Sequence, residues 1–208
     1  MYLFRSFVVI ISVLFLQACD LPSGEDLQEK PEIYFNLQGF VKEQIAYLQS
    51  TQAKVYKIAL INDKKESKLL EKIDWQKELD SFLQADINKS AFEGMYSLQD
   101  SSANGRLIKH YQAKSNTLHT RSLRIEIDES SNAVLSVQVR IEAENYLYRT
   151  YQEMSITCER NANGKNVIKH YKFLGQQKMI FSPEKRFEIE GTVNPAALSW
   201  IGGNEAAD

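Results

Sequence analysis

Histidine is the first residue type to consider for acid–base or metal chemistry, and the chain has only three. His110 and His170 each stand in the tetrapeptide Ile-Lys-His-Tyr. If the two segments formed neighbouring hairpins, the two imidazoles would approach each other and could bind a metal ion or titrate together. Lys109 and Lys169 would repel a cation there. We therefore expect two solvated strand positions and no metal site.

The carboxylates are plentiful, but they form no recognisable catalytic pattern. Glu126, Asp128, Glu188 and Glu190 fall at alternate positions of apolar–polar segments, where charged side chains keep one sheet face soluble. Catalysis by paired carboxylates needs a cleft and a fixed separation, which the sequence does not reveal. The chain also lacks a Gly-x-Ser-x-Gly elbow, a phosphate-binding glycine loop and a His-Glu-x-x-His motif. We predict that the protein is not an enzyme and has no catalytic residue.

Three tyrosines form the densest aromatic cluster in the chain. Tyr146, Tyr148 and Tyr151 lie within six residues of one another. Such a group would suit a stacking or sugar-binding surface. Aromatic residues on strands more commonly pack across neighbouring strands and stabilise the sheet. We retain the three tyrosines, with His110 and His170, as candidates for a ligand-binding surface.

The N-terminus has the order of features found in an export signal. Arg5 is followed by the apolar segment Phe7 to Leu16, which is too short to cross a bilayer because that takes about 20 helical residues. The segment ends in Leu16-Gln17-Ala18-Cys19. This tetrapeptide resembles the lipobox of bacterial lipoproteins, in which the signal is cut before the cysteine. The resemblance covers the N-terminal segment alone and does not extend to the domain that follows.

The resemblance implies a covalent lipid anchor. Residues 1–18 would be the signal peptide, and Cys19 would carry a diacylglyceryl group and an N-acyl chain, with no other cofactor. Two or three acyl chains hold a protein stably at a membrane. Residues 19–31 would then be the lipidated cysteine and a flexible tether, rich in polar residues and containing two prolines. Asp20 resembles an inner-membrane retention signal of enterobacteria, but the choice between inner and outer membrane stays open.

Charge and cysteine content exclude several classes of protein. The formal net charge is −2, so there is no overall basic excess to attract nucleic acid. Cys19 and Cys158 are the only cysteines. If Cys19 is lipidated, Cys158 has no partner for a disulfide within the chain. We expect Cys158 to be a buried free thiol.

Two segments have the apolar spacing of helices. Residues 32–50 carry Ile33, Leu37, Val41, Ile45 and Leu48, mostly at helical intervals, and predict an amphipathic helix. A second, shorter helix is predicted over 74–86 with Asp74 as its N-cap. Residues 54–62 read as a strand, followed by a charged turn at 63–66.

From residue 96 onward the apolar period changes to two. Leu123, Ile125 and Ile127 alternate with polar residues, as do the apolar residues of 135–141 and 187–189. This alternation is typical of antiparallel strands with one wet face. The predicted fold is α+β, with one or two helices packed on an antiparallel β-meander that forms a curved sheet or half-barrel. A single domain is expected over 32–193, with a C-terminal tail at 194–208.

These features favour two functions. The first is a lipid-anchored cell-envelope protein that acts as a non-enzymatic binding or scaffolding module for an unknown envelope partner. The alternative is a carrier or sensor of a hydrophobic ligand, an idea that rests on the architecture of half-barrel carriers and on no motif. A carrier needs an apolar cavity between sheet and helix, whereas a scaffold packs that space to normal density.

Overall fold

A computed structural model describes residues 33–194. The predicted signal peptide, Cys19 and tether lie outside the described residues, as does the predicted tail after Asn194. The described chain is mostly sheet, with three α-helices and one short 3-10 turn at Ser90–Phe92. The helices are α1 (Leu37–Ser50), α2 (Trp75–Glu78) and α3 (Asp80–Gln84). The strands are β1 (Val55–Ile61), β2 (Lys64–Leu70), β3 (Tyr96–Ala103), β4 (Arg106–Ala113), β5 (Thr120–Asp128), β6 (Val134–Glu144), β7 (Tyr148–Arg160), β8 (Asn166–Met179) and β9 (Lys185–Val193).

All nine strands of the described residues belong to one open antiparallel sheet. Strands β3 to β9 form a meander in which each strand pairs with the next. The β1–β2 hairpin joins the far side of β9, so the order across the sheet is β2-β1-β9-β8-β7-β6-β5-β4-β3. The prediction of an antiparallel sheet is confirmed. The α+β description gave too much weight to helices, because two of the three are only four and five residues long.

Helix α1 covers one face of the sheet with a single apolar stripe. Leu37, Val41, Ile45 and Leu48 are all buried. The helix begins later than predicted because Asn36 caps it, accepting a hydrogen bond from the Gly39 backbone N–H at 2.7 Å.

A buried glutamine connects this helix directly to the sheet. The Gln44 amide donates to the Asn166 carbonyl at 3.2 Å and accepts from the Ile168 backbone N–H at 3.0 Å. These two bonds fix α1 to β8. They also satisfy both polar ends of a side chain that is 2% exposed.

The second predicted helix is interrupted. Asp74 is its N-cap, as expected, and accepts from the Lys77 backbone N–H at 3.2 Å. The helix then breaks at Leu79 into α2 and α3, because Leu79 is the C-cap of one and the N-cap of the other. Trp75 and Phe82 are buried and contact the rings of Tyr171 and Phe173 on β8.

The predicted charged turn at 63–66 is wrong. The turn is at Asn62-Asp63, where Asn62 has a φ of 54°, and β2 starts at Lys64. Nearly all of β2 is exposed, so its sequence has no apolar alternation to reveal a strand. Strand β2 is an edge of the sheet. Its three lysines are of the kind that discourages pairing with another chain.

Four residues from four elements form a cross-sheet contact that we call the Gly191 cluster: Lys57, Glu78, Tyr171 and Gly191. Gly191 on β9 lies opposite Lys57 on one side and Tyr171 on the other. Glu78 of α2 accepts a 2.7 Å hydrogen bond from the Tyr171 hydroxyl and forms an ion pair with Lys57 at 2.7 Å. The cluster therefore joins α2 to β1 and β8 across β9.

A candidate binding face of the sheet

The outer face of the sheet, opposite the helices, carries a row of side chains that are all polar except Ile58. Strand pairing brings one residue of each strand into register across the whole sheet. The residues of this row, from β3 to β2, are Gln99, His110, Arg124, Gln138, Ser155, Lys172, Glu190, Ile58 and Ser67. Residues from distant parts of the sequence therefore lie side by side on one solvent-facing surface.

A cavity of about 420 Å³ opens on the middle of this face. Its polar lining residues are His110, Ser122, Arg124, Gln138, Arg140, Glu153, Ser155 and Lys172. We call this cavity the central trough. A second open cavity, lined in part by Leu60, Tyr151 and Glu188, adjoins it at Leu174.

The cations of the central trough are held by carboxylates on the same face. Arg124 contacts Glu126 at 2.5 Å, and Lys172 contacts both Glu188 and Glu190. The two glutamates raise the pKa of Lys172. The side chains are therefore held in place before any partner arrives, and the trough has mixed charge rather than a single sign.

Arg140 has a donor that the protein does not use. Its Nε atom is buried and has no hydrogen-bond partner among residues 33–194. The nearest carboxylate oxygen, Glu142 Oε1, lies at 3.4 Å without hydrogen-bond geometry. A buried unsatisfied donor costs free energy. The Arg140 side chain as a whole is 42% exposed, so it could shift to donate to a ligand oxygen in the trough. The trough is thus suited to a polar ligand that carries acceptor oxygens.

The two histidines of the repeated tetrapeptide are not brought together. His110 is on β4 and His170 on β8, with three strands between them. At about 4.8 Å per strand, they are roughly 19 Å apart across the sheet. His110 lines the central trough, whereas His170 contacts the Thr192 hydroxyl at 3.2 Å. Among the described residues, no group of three or more His, Cys, Asp or Glu is arranged to hold a metal ion.

The three candidate tyrosines gather at one end of the sheet. Tyr146, Tyr148 and Tyr151 all border a cavity of about 340 Å³ beside the β6–β7 turn. They are absent from the ring contacts found among residues 33–194. The Tyr151 hydroxyl donates to Glu153, and this hydrogen bond, with burial and the negative charge, raises the pKa of Tyr151 to about 12. Glu153 also lines the central trough.

Cys158 is a buried thiol on β7, and burial raises its pKa to about 12. A thiol of this kind is a poor nucleophile and a poor metal ligand.

Sequence reasoning missed the main residues of the trough. Arg124, Gln138, Arg140 and Lys172 stand at outward positions of alternating strands and look like ordinary solvated residues. Only the register between strands brings them together, and the sequence contains no local signal for that register.

Comparison of the chain with protein-family models, with curated proteins and with solved structures gives no match. Within residues 33–194, no helix is long and apolar enough to span a membrane.

Proposed function

We propose that this protein is a lipid-anchored component of the bacterial cell envelope that acts as a non-enzymatic binding or scaffolding module. Its partner would dock on the central trough through oxygen acceptors. The observation that carries the binding proposal is Arg140 in the trough lining, whose buried Nε atom makes no hydrogen bond although Glu142 Oε1 lies at 3.4 Å. The lipid anchor rests on the segment that ends in Leu16-Gln17-Ala18-Cys19.

The packing of the inner face favours a binding module over a carrier of a hydrophobic ligand. The apolar residues at the centre of the sheet, such as Leu123, Ile125, Val137 and Ile156, are fully buried. A carrier of the proposed half-barrel type would have to separate α1 from the sheet and break the two hydrogen bonds of Gln44 to β8 before a ligand could enter. The trough on the outer face needs no such opening.

The binding proposal is tested by site-specific photo-cross-linking in living cells. A photoreactive amino acid replaces Gln138 in the middle of the trough. Ser67, which lies in the same row on edge strand β2, provides the matched control position. We expect a discrete adduct at Gln138 that disappears when Arg140→Ala is added. Equal adduct patterns at Gln138 and Ser67 would refute docking on the trough. An adduct at Gln138 that persists when Arg140→Ala is added would also refute it.

The anchor is tested separately by growing cells with a fatty-acid probe. We expect the wild-type chain to take up the label and to fractionate with membranes. Cys19→Ser should abolish labelling. A wild-type chain that takes up no label would contradict the lipoprotein assignment and leave the trough proposal standing.

A further inference from the structure

Among residues 33–194, the largest group of exposed apolar side chains lies on two adjoining turns at one end of the sheet. Phe181 is 95% exposed and Tyr146 is 85% exposed, and Leu147, Met179 and Ile180 are also exposed. We call these five residues the apolar tip. Single exposed apolar residues are common on soluble proteins, but a contiguous group of this kind marks an interaction surface.

The apolar tip has a defined structure. Tyr148 at the start of β7 pairs with Met179 at the end of β8. The Ile180 backbone N–H then donates to the Leu147 carbonyl at 3.0 Å. The β6–β7 and β8–β9 turns are therefore hydrogen-bonded to each other, and their apolar side chains are presented together.

Strands β7 and β8, which carry the tip, extend one residue beyond β6, two beyond β9 and four beyond β4 at this end of the sheet. One cross-strand row joins Gln112 on β4 to Glu153 on β7 and Leu174 on β8. Beyond that row β4 continues for one residue, to Ala113, whereas β8 continues for five, to Met179. At about 3.3 Å per residue, β7 and β8 extend roughly 13 Å beyond β4 but only about 3–7 Å beyond β6 and β9. The tip lies at the furthest point of this end of the sheet, and four of its five residues also border the open cavity of about 340 Å³ beside the β6–β7 turn.

The charges around the tip are mainly positive. Its basic side chains are Arg149, Lys178, Lys185 and Arg186. Among the acidic residues nearby, Glu144 and Glu184 are already paired with Arg149 and Arg186 at 2.5 and 2.7 Å, and Asp63, on the β1–β2 turn, lies beside Arg186. Lys178 and Lys185 form no ion pair with any described residue, so the base of the tip presents positive charge to anionic groups.

The described chain starts at the same end of the sheet. Tyr34 donates from its hydroxyl to the Phe92 carbonyl at 3.0 Å and accepts from the backbone N–H of Tyr96, the first residue of β3. Tyr96 pairs with Ala113, which ends β4, so this contact lies at the end of the sheet that carries the tip. Residues 20–32 reach at most about 45 Å when extended, which is enough to let a lipid on Cys19 and the tip share one surface.

From these observations we infer that the apolar tip inserts into the interface of an anionic lipid bilayer and orients the domain on the membrane. An apolar tip with tyrosine, phenylalanine and aliphatic side chains fits a fluid interface, which needs no complementary pocket. The neighbouring lysines would lie at the level of anionic headgroups. The central trough, on the outer face of the sheet, would then stand beside the membrane rather than against it. The inference uses the proposed lipid anchor only to bring the domain to the surface.

The test uses the full-length lipidated protein in vesicles of phosphatidylcholine and phosphatidylglycerol. Phe181→Cys is labelled with an environment-sensitive fluorophore, because Cys19 would be acylated and Cys158 is buried. Ala162→Cys is the matched control, since Ala162 is exposed on the β7–β8 turn at the opposite end of the same two strands. Fatty-acid labelling of each preparation reports the anchor independently.

At position 181 we expect a several-fold rise in fluorescence with a blue shift and strong quenching by lipids that carry a quencher. At position 162 neither change should occur. Adding Leu147→Ser and Ile180→Ser should weaken the signal at 181, whereas Leu98→Ser on edge strand β3 should not. Equal quenching at 181 and 162 in a lipidated preparation would overturn the inference. A blue shift at 181 without lipid quenching would also overturn it, because it would show that a second copy or another protein covers the tip.

Discussion

Replacing Gly191 with alanine tests the contact that holds α2 to the sheet. A Cβ atom at this position would lie 2.0 Å from Cζ of Tyr171 and 2.4 Å from its hydroxyl oxygen. Carbon atoms pack at about 3.5–4.0 Å, so the ring would have to move by roughly 1.5 Å. Tyr171 is 2% exposed and has no open space to move into. The shift would also break its 2.7 Å hydrogen bond to Glu78.

The expected cost follows from these two effects. Overpacking a buried site costs about 1–3 kcal/mol. Losing a hydrogen bond to a charged acceptor costs about 1.5–3 kcal/mol. Replacing glycine with alanine also stabilises the fold by about 0.4–1 kcal/mol, because it reduces the conformational entropy of the unfolded chain. We expect Gly191→Ala to lower the free energy of unfolding by about 2–5 kcal/mol, a large part of the ~5–15 kcal/mol typical of a domain.

Urea denaturation followed by circular dichroism measures this loss in the chain lacking residues 1–19. Gly175→Ala is the comparison variant, because its Cβ would meet Phe187 Cζ and the backbone carbonyl oxygen of Tyr151, both at 2.7 Å. It should also be destabilising, and its cost should not depend on the side chain at position 171. In a Tyr171→Leu background the cost of Gly191→Ala should nearly vanish, since the obstructing ring is gone. An unchanged cost in that background, or a cost under about 0.5 kcal/mol in the wild type, would refute the reasoning.

Three further predictions concern the core. Ile125→Asp should abolish cooperative thermal unfolding because it buries a charge on the inner face. Glu126→Gln, on the outer face, should lower the free energy of unfolding by about 1 kcal/mol or less. The opposite result would show that the two faces of β5 are assigned the wrong way round. Cys158 should react with a thiol reagent at pH 8 only when urea unfolds a Cys19→Ser chain, and rapid reaction without urea would show that it is exposed. Burial and the bond to Glu78 raise the pKa of Tyr171, so its contribution to stability is intact below the unfolded tyrosine pKa of about 10 and is lost as pH rises above it. The slope of unfolding free energy between pH 9 and 11 should be shallower in Tyr171→Phe, and an unchanged slope would contradict this assignment.

Local pattern predicted the facing of individual elements well. The alternation around Ile125 correctly places it inside and Glu126 outside, and the spacing of Leu37, Val41 and Ile45 correctly predicts α1. Both signals depend only on side chains within one element. The same signals failed for β2, because a strand exposed on both faces needs no apolar alternation.

The sequence did not predict which residues from distant parts of the chain lie next to each other in the sheet. The repeated Ile-Lys-His-Tyr suggested neighbouring histidines, but a meander pairs each strand with its chain neighbours and therefore separates His110 from His170. Conversely, Arg140 and Lys172 lie over thirty residues apart and still share one trough. Glu126 likewise stands beside Arg106 as well as Arg124, a contact that follows from the pairing of β4 with β5.

The pairing of β1 with β9 has a consequence for the order in which the chain folds. Residues 55–61 pair with β2 on one side, but their other partner is formed by residues 187–193 at the far end of the described chain. Pairings of such sequence separation make folding slow, because a long loop must close before any contact rewards it. In this topology the β1–β2 hairpin cannot join the sheet before nearly the whole chain has been synthesised, whereas strands β3 to β8 can pair earlier with their neighbours in the chain.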